Sequence, residues 1–194
     1  GSARLVATGP AGFTTDSVLV NMQPAPALFI NPSFLGSGLQ RAFGGSLGAS
    51  NHGGTTVRVT STNPSLLVIS ATDSTPGAAF VDLTIPFNGS GFTYYVQALD
   101  GFTYDSANVI ATAPSFVPDT AKMVITQPVF DIIFLNGSGN TRAANDAFQA
   151  RTGSASTPTA GISVEDVIRV GGTTLTATII NDSIAIGNLI TTAT

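Results

Sequence analysis

Apolar and polar side chains alternate with a period of two in several short runs of this sequence. In the run 55–60, Val57 and Val59 fall on one face of an extended chain, and Arg58 and Thr60 fall on the other. Similar runs lie at 81–85, 92–98 and 174–179. All are short, rich in β-branched or aromatic residues, and followed by turn-forming residues. The pattern predicts half-buried antiparallel strands.

Two further stretches carry mixed signals. Residues 140–150 have a helical composition, and residues 163–166 resemble a helix capping box. Residues 162–170 also alternate, which places Val164, Ile168 and Val170 on the same face as Asp166. We expect a loop or a single helical turn at 140–150 and a strand at 162–170.

The composition is that of a folded, weakly charged protein. Hydrophobic residues make up 43% and charged residues only 9%, where roughly 25% charged is usual. The 21 Gly and 11 Pro residues predict frequent turns. Because there is no Cys, disulfides, thiolate metal sites and Cys nucleophiles are excluded. A surface built from Thr, Ser, Asn and Gly favours an exported protein.

The charge distribution argues against nucleic acid as a partner. The net charge is −4, and the six Arg residues are scattered along the chain instead of clustered. No apolar run approaches the roughly 20 residues of a membrane helix, so membrane insertion is not expected. Gly1-Ser2 resembles a cloning scar or a processing site, so we expect a mature form or an excised fragment.

An internal repeat organises the chain. The block Ala-Thr-Gly-Pro at 7–10 matches Ala-Thr-Ala-Pro at 111–114, and each is followed by Phe, Asp, a short apolar strand and Gln-Pro. These blocks are offset by 104 residues. A second pair of blocks, 53–60 and 171–178, is offset by 118 residues. The second copy therefore carries 14 extra residues, within roughly 135–165.

A repeat of about 100 residues with about seven short strands has the size of an immunoglobulin-type sandwich. The segments GGTTVRVTSTNPSLLVIS at 53–70, FTYYVQALDG at 92–101 and ANVIATAPSF at 107–116 resemble the bacterial immunoglobulin-like repeats of large secreted and surface proteins. The resemblance implies an all-β chain of tandem immunoglobulin-like antiparallel β-sandwiches. It also implies an extracellular or cell-surface location in a bacterium, and it brings no catalytic residues.

The repeat divides the chain into three parts. Residues 1–24 resemble the terminal strands of a unit, residues 25–126 form one immunoglobulin-like sandwich, and residues 127–194 form a second, incomplete one. We expect Gln23-Pro24 and Gln127-Pro128 to act as short, stiff linkers. The incomplete unit has two explanations: the chain is a fragment of a longer array, or the 14 extra residues rebuild the missing part.

A third explanation is strand donation, in which residues 3–22 of one chain complete the last sandwich of the next. The predicted inter-subunit strand residues are Leu5, Val6, Val18, Leu19 and Val20. On this basis we expect a non-catalytic structural or adhesive module whose partners are other copies of the chain or neighbouring repeats. The alternative is a carbohydrate- or host-protein-binding module of a larger secreted protein, which would use loops at 31–52 and 135–160.

No enzymatic site is predicted. His52 is the only His and lies in a turn-like stretch, so a catalytic triad is not expected. The carboxylates form no recognisable pair, and Asp82 inside an alternating run should face solvent. No calcium-binding run of Asp residues is present, so neither a metal nor another cofactor is predicted.

Three residues remain as candidate sites. Lys122 could form an isopeptide bond with an Asn or Asp side chain, although an edge-strand Lys that discourages pairing is the commoner arrangement. Tyr95 and Tyr104 could contact a ligand by stacking on a sugar, within an aromatic cluster that includes Phe92, Tyr94 and Phe102. The alternative places Phe92 and Tyr94 in the core and Tyr104 at a sheet corner.

Overall fold

The computed structural model describes residues 1–101, 104–140, 144, 146–157 and 160–181, and these residues form fifteen strands and no helix. The expected all-β class is confirmed. In chain order the strands are β1 (Ser2–Ala7), β2 (Asp16–Asn21), β3 (Leu28–Ile30), β4 (Ser33–Gly36), β5 (Leu39–Leu47), β6 (Thr55–Ser61), β7 (Leu67–Ser70), β8 (Phe80–Ile85), β9 (Gly91–Ala98), β10 (Asp105–Thr112), β11 (Asp119–Thr126), β12 (Pro128–Ile133), β13 (Gln149–Ser154), β14 (Val164–Glu165) and β15 (Val167–Ile168).

Two sheets enclose one apolar core between residues 28 and 126. The first sheet has the order β4-β11-β10-β6-β8, and the second has the order β15-β5-β9-β7, with β3 paired to another part of β5. Neighbouring strands are antiparallel except β4 and β11, which are parallel. Buried apolar side chains from both sheets belong to a single cluster. The architecture is that of a β-sandwich, as expected.

The predicted alternation explains which side chains fill this core. In β6, Val57 and Val59 are fully buried, whereas Arg58 between them is exposed. In β9, Phe92 and Tyr94 point inward, which confirms their assignment to the core. Each such aliphatic or aromatic side chain contributes about 1.5–3 kcal/mol when it leaves water.

The sandwich has two distinct ends, because β11 runs along its length. Near the start of β11 the Val117 amide donates to the Pro26 carbonyl at 2.9 Å, and at its end the Thr126 carbonyl accepts from the Ser37 amide at 2.9 Å. The eight residues between span roughly 26 Å. We call the first of these the proximal end and the second the distal end. β2 therefore leads into the proximal end, and β12 leaves from the distal end.

β1 and β2 form an antiparallel hairpin outside the sandwich. Its register runs from Ser2 opposite Asn21 to Ala7 opposite Asp16. Every residue of both strands is exposed, and within the described ranges neither strand pairs with any other. A two-stranded ribbon without a third strand or a covered face is only marginally stable in water.

The chain beyond the distal end forms a smaller sheet and returns one strand to the sandwich. The small sheet has the order β12-β13-β14, and β15 joins β5 with Val167 opposite Gln40 and Ile168 opposite Leu39. The single strand predicted at 162–170 is wrong in detail, because the structure divides it into β14 and β15 with Asp166 between them. The break occurs where Asp166 becomes buried.

The strand predicted at 174–179 is not formed. Residues 173–180 carry no strand, and Leu175 is 41% exposed, whereas its repeat counterpart Val57 is 0% exposed. β8 and β10 pair with the two edges of β6, and Val57 points into the core that the two sheets share. In the part of the chain that the structure describes, no strand pairs with 173–180. Among the residues that the structure describes, the same sequence pattern therefore has no sheet to join.

Candidate functional site

The exposed hairpin carries an unusual amount of apolar surface. Its five predicted inter-subunit residues are exposed as follows: Leu5 61%, Val6 55%, Val18 58%, Leu19 57% and Val20 38%. Met22, directly after β2, is 67% exposed. Exposed apolar side chains gathered on one element are typical of interaction sites.

The hairpin has a structural counterpart inside the sandwich. The sequence of β1, Ser-Ala-Arg-Leu-Val-Ala, matches Ser-Ala-Asn-Val-Ile-Ala at 106–111 in β10. The pairing matches as well, since Ala7 opposite Asp16 in the hairpin corresponds to Ala111 opposite Asp119 in β10 and β11. All six residue pairs of the hairpin have a counterpart in the β10–β11 register. The match between β1 and β10 could have been found in the sequence.

This equivalence identifies which hairpin face would belong in a core. The inward side chains of β10 and β11 that have counterparts in the hairpin are at most 6% exposed, and they are Ala107, Val109, Ala111, Ala121 and Met123. Their counterparts, which we call the core-equivalent face, are Ala3, Leu5, Ala7, Val18 and Val20. The other two predicted residues, Val6 and Leu19, lie on the opposite face as counterparts of Ile110 and Lys122.

A second unpaired element lies near the other end of the chain. Residues 173–180 correspond to β6 at the offset of 118 residues, and their apolar members are Leu175, Ala177, Ile179 and Ile180. The segment starts at the distal end, where the Thr173 amide donates to Asp100 Oδ2 at 3.4 Å. Leu175 and Ile180 are 41% and 80% exposed. The segment has the composition of a strand and lacks a neighbouring one among the described residues.

A buried ion pair fixes the origin of this segment. Arg41 Nε in β5 lies 3.0 Å from Asp166 Oδ1, and the Asp166 side chain is 0% exposed. Ser154 Oγ donates to the other carboxylate oxygen of Asp166 and accepts from the Gly36 amide at 2.5 Å. The Arg41 guanidinium stacks over Phe34 and Phe43 at 5.5 and 5.2 Å from the ring centroids. The pair thus ties the small sheet to both sheets of the sandwich.

Burial dominates the electrostatics of this pair. It raises the pKa of Asp166, against the opposing effects of the Ser154 hydrogen bond and the Arg41 charge. It lowers the pKa of Arg41, against the charge of Asp166. Sequence reasoning did not find this pair, because 125 residues separate its members. A signal was present, since Asp166 shares an apolar face in the alternation at 162–170.

Further contacts hold the residues between Asp166 and Thr173 against the distal end. The Arg169 guanidinium binds Asp100 Oδ2 at 2.6 Å, and its amide donates to the Gly38 carbonyl at 3.0 Å. Gln40 Oε1 accepts from the Val170 amide at 2.9 Å. Residues 173–180 therefore leave the sandwich from a fixed position.

The structure places the remaining predicted site residues apart from this arrangement. Tyr95 is half-buried in the middle of β9, whereas Tyr104, 45% exposed, precedes β10 in the other sheet. Their proposed ligand contact stays a prediction, and Phe102 lies outside the described residues. Lys122 is exposed opposite Asn108. Because β11 lies between β4 and β10, the interpretation of Lys122 as an edge-strand residue is wrong. The isopeptide bond remains untested.

The described residues offer few groups for chemistry. His52 contacts the Gly89 carbonyl at 2.8 Å and accepts from the Gly54 amide at 3.1 Å, so it connects two loops. Asp82 faces solvent as predicted and binds the Arg58 guanidinium through both oxygens at 2.7 Å. No cluster of three or more potential metal ligands occurs in the ranges that the structure covers. These ranges also contain no helix that could cross a bilayer.

Comparison with known proteins adds no further assignment. No protein-family model matches this chain, and no curated protein is significantly similar to it. The hairpin, the segment 173–180 and the buried pair that positions this segment are therefore interpreted on their own geometry.

Proposed function

We propose that this chain is a non-catalytic structural subunit of an extracellular or cell-surface assembly, and that its copies associate head to tail by donating the β1–β2 hairpin. One observation carries the proposal. The hairpin has the register of β10–β11, yet the face that β10–β11 buries is open to solvent in the hairpin. A sandwich that received the hairpin would gain two strands and a covered core face.

Burial of the core-equivalent face would supply free energy for association. Burial of Leu5, Val18 and Val20 would contribute about 1.5–3 kcal/mol for each side chain. Main-chain pairing with the acceptor would add to this. Part of the sum offsets the loss of translational and rotational freedom, which costs about 4–15 kcal/mol. Because an isolated two-stranded ribbon is only marginally stable, another part of the sum offsets the ordering of the hairpin.

We also propose that the sandwich is of the immunoglobulin type. The sheet β3-β5-β9-β7 has the order of strands A, B, E and D, and β6-β10-β11 has the order of C, F and G. The chain visits these seven strands in the immunoglobulin sequence. β4 and β8 are additions, at the outer edges of the second group. The proposal of tandem sandwiches rests on the repeated sequence blocks and on the register that the β1–β2 hairpin shares with β10–β11.

An exported location is supported by the composition. With 9% charged residues and a surface of small polar side chains, the chain differs from most intracellular domains. Head-to-tail sandwiches joined by short segments at Gln23-Pro24 and Gln127-Pro128 would form a spacer that projects from a surface.

The proposal is tested by the size and shape of the purified chain. Light scattering after size exclusion, over a hundredfold range of concentration, should show species larger than 19.6 kDa that grow with concentration. Electron microscopy should show rods or filaments. A variant without residues 1–22 is the matched control, because it keeps β3–β15 and should remain monomeric.

Two results would overturn the proposal. One is a chain that stays monomeric at every concentration. The other is equal assembly by the chain with and without residues 1–22. Saturable glycan or host-protein binding that is independent of the hairpin would instead favour the alternative, a binding module.

A further inference from the structure

We infer that β1 of one copy pairs antiparallel with residues 176–179 of a second copy, with Ala7 opposite Ala177. The inference rests on the proposed hairpin donation and goes beyond it, since it names the acceptor segment and its register. It follows from the contacts that β10, the counterpart of β1, makes in the sandwich.

The register can be derived from the observed pairing of β10 with β6. There Ala111 lies opposite Val59, and Val109 lies opposite Ser61. In the hairpin, Ala7 and Leu5 take the places of Ala111 and Val109. At the offset of 118 residues, Ala177 and Ile179 take the places of Val59 and Ser61. Ala7 therefore faces Ala177, and Leu5 faces Ile179.

The side chains agree with this register. The core-equivalent face of the hairpin contributes Leu5 and Ala7, and the alternation at 174–179 contributes Leu175, Ala177 and Ile179 to the same side. A slip of one residue would place Thr176 and Thr178 against the apolar side chains. A slip of two residues would keep the same side chains on the same face of the sheet, so an experiment has to distinguish it from the inferred register.

The geometry favours a second copy over the chain's own hairpin. The hairpin enters the sandwich at the proximal end, whereas residues 173–180 leave from the distal end, a strand length of roughly 26 Å away. In the inferred register the base of the hairpin, at Ser2 and Asn21, would lie on the far side of Ile179 from Thr173. With the segment extended away from the sandwich, the gap from this base to Leu28 exceeds roughly 26 Å, whereas the chain from Asn21 to Leu28 spans at most about 25 Å. A hairpin from another molecule meets no such limit.

Disulfide trapping tests the register, because the chain contains no Cys of its own. Two single variants, Ala7→Cys on a nitrogen-15-labelled chain and Ala177→Cys on an unlabelled chain, are mixed under assembly conditions and oxidised. Side chains directly opposite in an antiparallel pair lie close enough for a disulfide. We expect a mixed disulfide between Cys at 7 and Cys at 177 as the main cross-linked peptide in mass spectrometry.

Control mixtures separate the possible registers. Ala7→Cys mixed with Leu175→Cys reports a two-residue slip, and Ala7→Cys mixed with Thr178→Cys reports a one-residue slip. Both should cross-link at least tenfold less than the 7–177 pair. The double variant Ala7→Cys with Ala177→Cys, oxidised at high dilution, reports closure within one chain and should give little internal disulfide.

The outcomes distinguish the inference from the proposed function. The inference is overturned if the chain assembles but no disulfide forms between positions 7 and 177. It is also overturned if a control mixture that reports a slipped register cross-links more strongly. Neither result contradicts hairpin donation itself. A double variant that closes efficiently within one chain overturns the role of the second copy. If the unmodified chain does not assemble at all, the proposed function fails and the inference fails with it.

Discussion

Arg41 Nε lies 3.0 Å from Asp166 Oδ1 at the distal end of the sandwich, and the carboxylate side chain is fully buried. Removing one member of such a pair leaves an uncompensated charge in a poorly hydrated site, at a cost of about 3–5 kcal/mol. We therefore predict that Asp166→Ala loosens the small sheet and β15 from the sandwich. The Arg169 amide, which donates to Gly38, should exchange its hydrogen about a hundredfold faster than in the unmodified chain.

The matched control for this prediction is Asp82→Ala. Asp82 binds Arg58 at 2.7 Å, but both side chains are exposed, and exposed ion pairs contribute little. Exchange at Arg169 should be unchanged in this variant. Equal protection in Asp166→Ala and the unmodified chain would show that the buried pair does not hold the junction.

A second prediction concerns Tyr94, whose side chain is 0% exposed. Burial, and to a smaller extent the charge of Asp119, raises the pKa of its hydroxyl to about 12. Because the folded pKa lies above the ordinary value of 10.0, the protonated hydroxyl contributes stability that is fully present below pH 10 and is lost as the pH rises towards 12. The free energy of unfolding, measured by denaturant titration from pH 8 to 11.5, should fall less steeply in Tyr94→Phe.

The control for the alkaline prediction is Tyr104→Phe. Tyr104 is 45% exposed, and Tyr104→Phe removes a tyrosine hydroxyl outside the core, so it controls for the substitution itself. Parallel profiles for Tyr94→Phe and the unmodified chain, over the whole range, would contradict the assigned role of Tyr94.

A third prediction separates the two faces of the hairpin. Leu5 and Val6 are similarly exposed, at 61% and 55%, so neither contributes much to the isolated subunit. Only Leu5 lies on the core-equivalent face. Leu5→Ser should weaken assembly by about 2 kcal/mol, or roughly thirtyfold in the association constant, while Val6→Ser should change it much less. Concentration-dependent light scattering measures both, and similar losses would refute the assignment of the faces.

A fourth prediction compares repeat counterparts. Val57→Ala removes fully buried methyl groups and should lower the free energy of unfolding by about 1–2 kcal/mol. Leu175→Ala at a 41% exposed position should leave the dilute chain unchanged and weaken only the assembly. Denaturation at low concentration and light scattering at high concentration test the two halves. A destabilised dilute chain in Leu175→Ala would mean that Leu175 already packs within one molecule.

The runs of alternating residues predicted strands but not their partners. The same pattern at 55–60 and 174–179 gives a buried strand in one case and no strand in the other, because a sheet also requires neighbours. Likewise, the repeat identified the apolar residues of β1 and its match to β10 is visible in the sequence, whereas the pairing of β1 with β2 is seen only in the structure. The alternating runs predict antiparallel pairing throughout, whereas β4 and β11 are parallel.

The buried pair shows a different limit. Arg41 lies in no recognisable motif, and Asp166 lies in a segment that resembles a helix capping box, which predicts only a local contact. Such local patterns do not report contacts across 125 residues. Lys122 and the tyrosines are candidates because of their residue type and their neighbours in the sequence, which do not report their surroundings in the fold. The proposed interface instead consists of strand edges and exposed apolar faces, and no short sequence motif marks either of these.

The parallel contact of β4 with β11 has a mechanical consequence. Tension on a surface-anchored array would pull β3 and β4 from the proximal end and β11 from the distal end. Because this force runs along both strands, the four register pairs from Ser33 with Met123 to Gly36 with Thr126 would be sheared together and not peeled one by one. We therefore expect the sandwich to resist extension most strongly along the line from its proximal to its distal end, which is the direction of the tension in the proposed array.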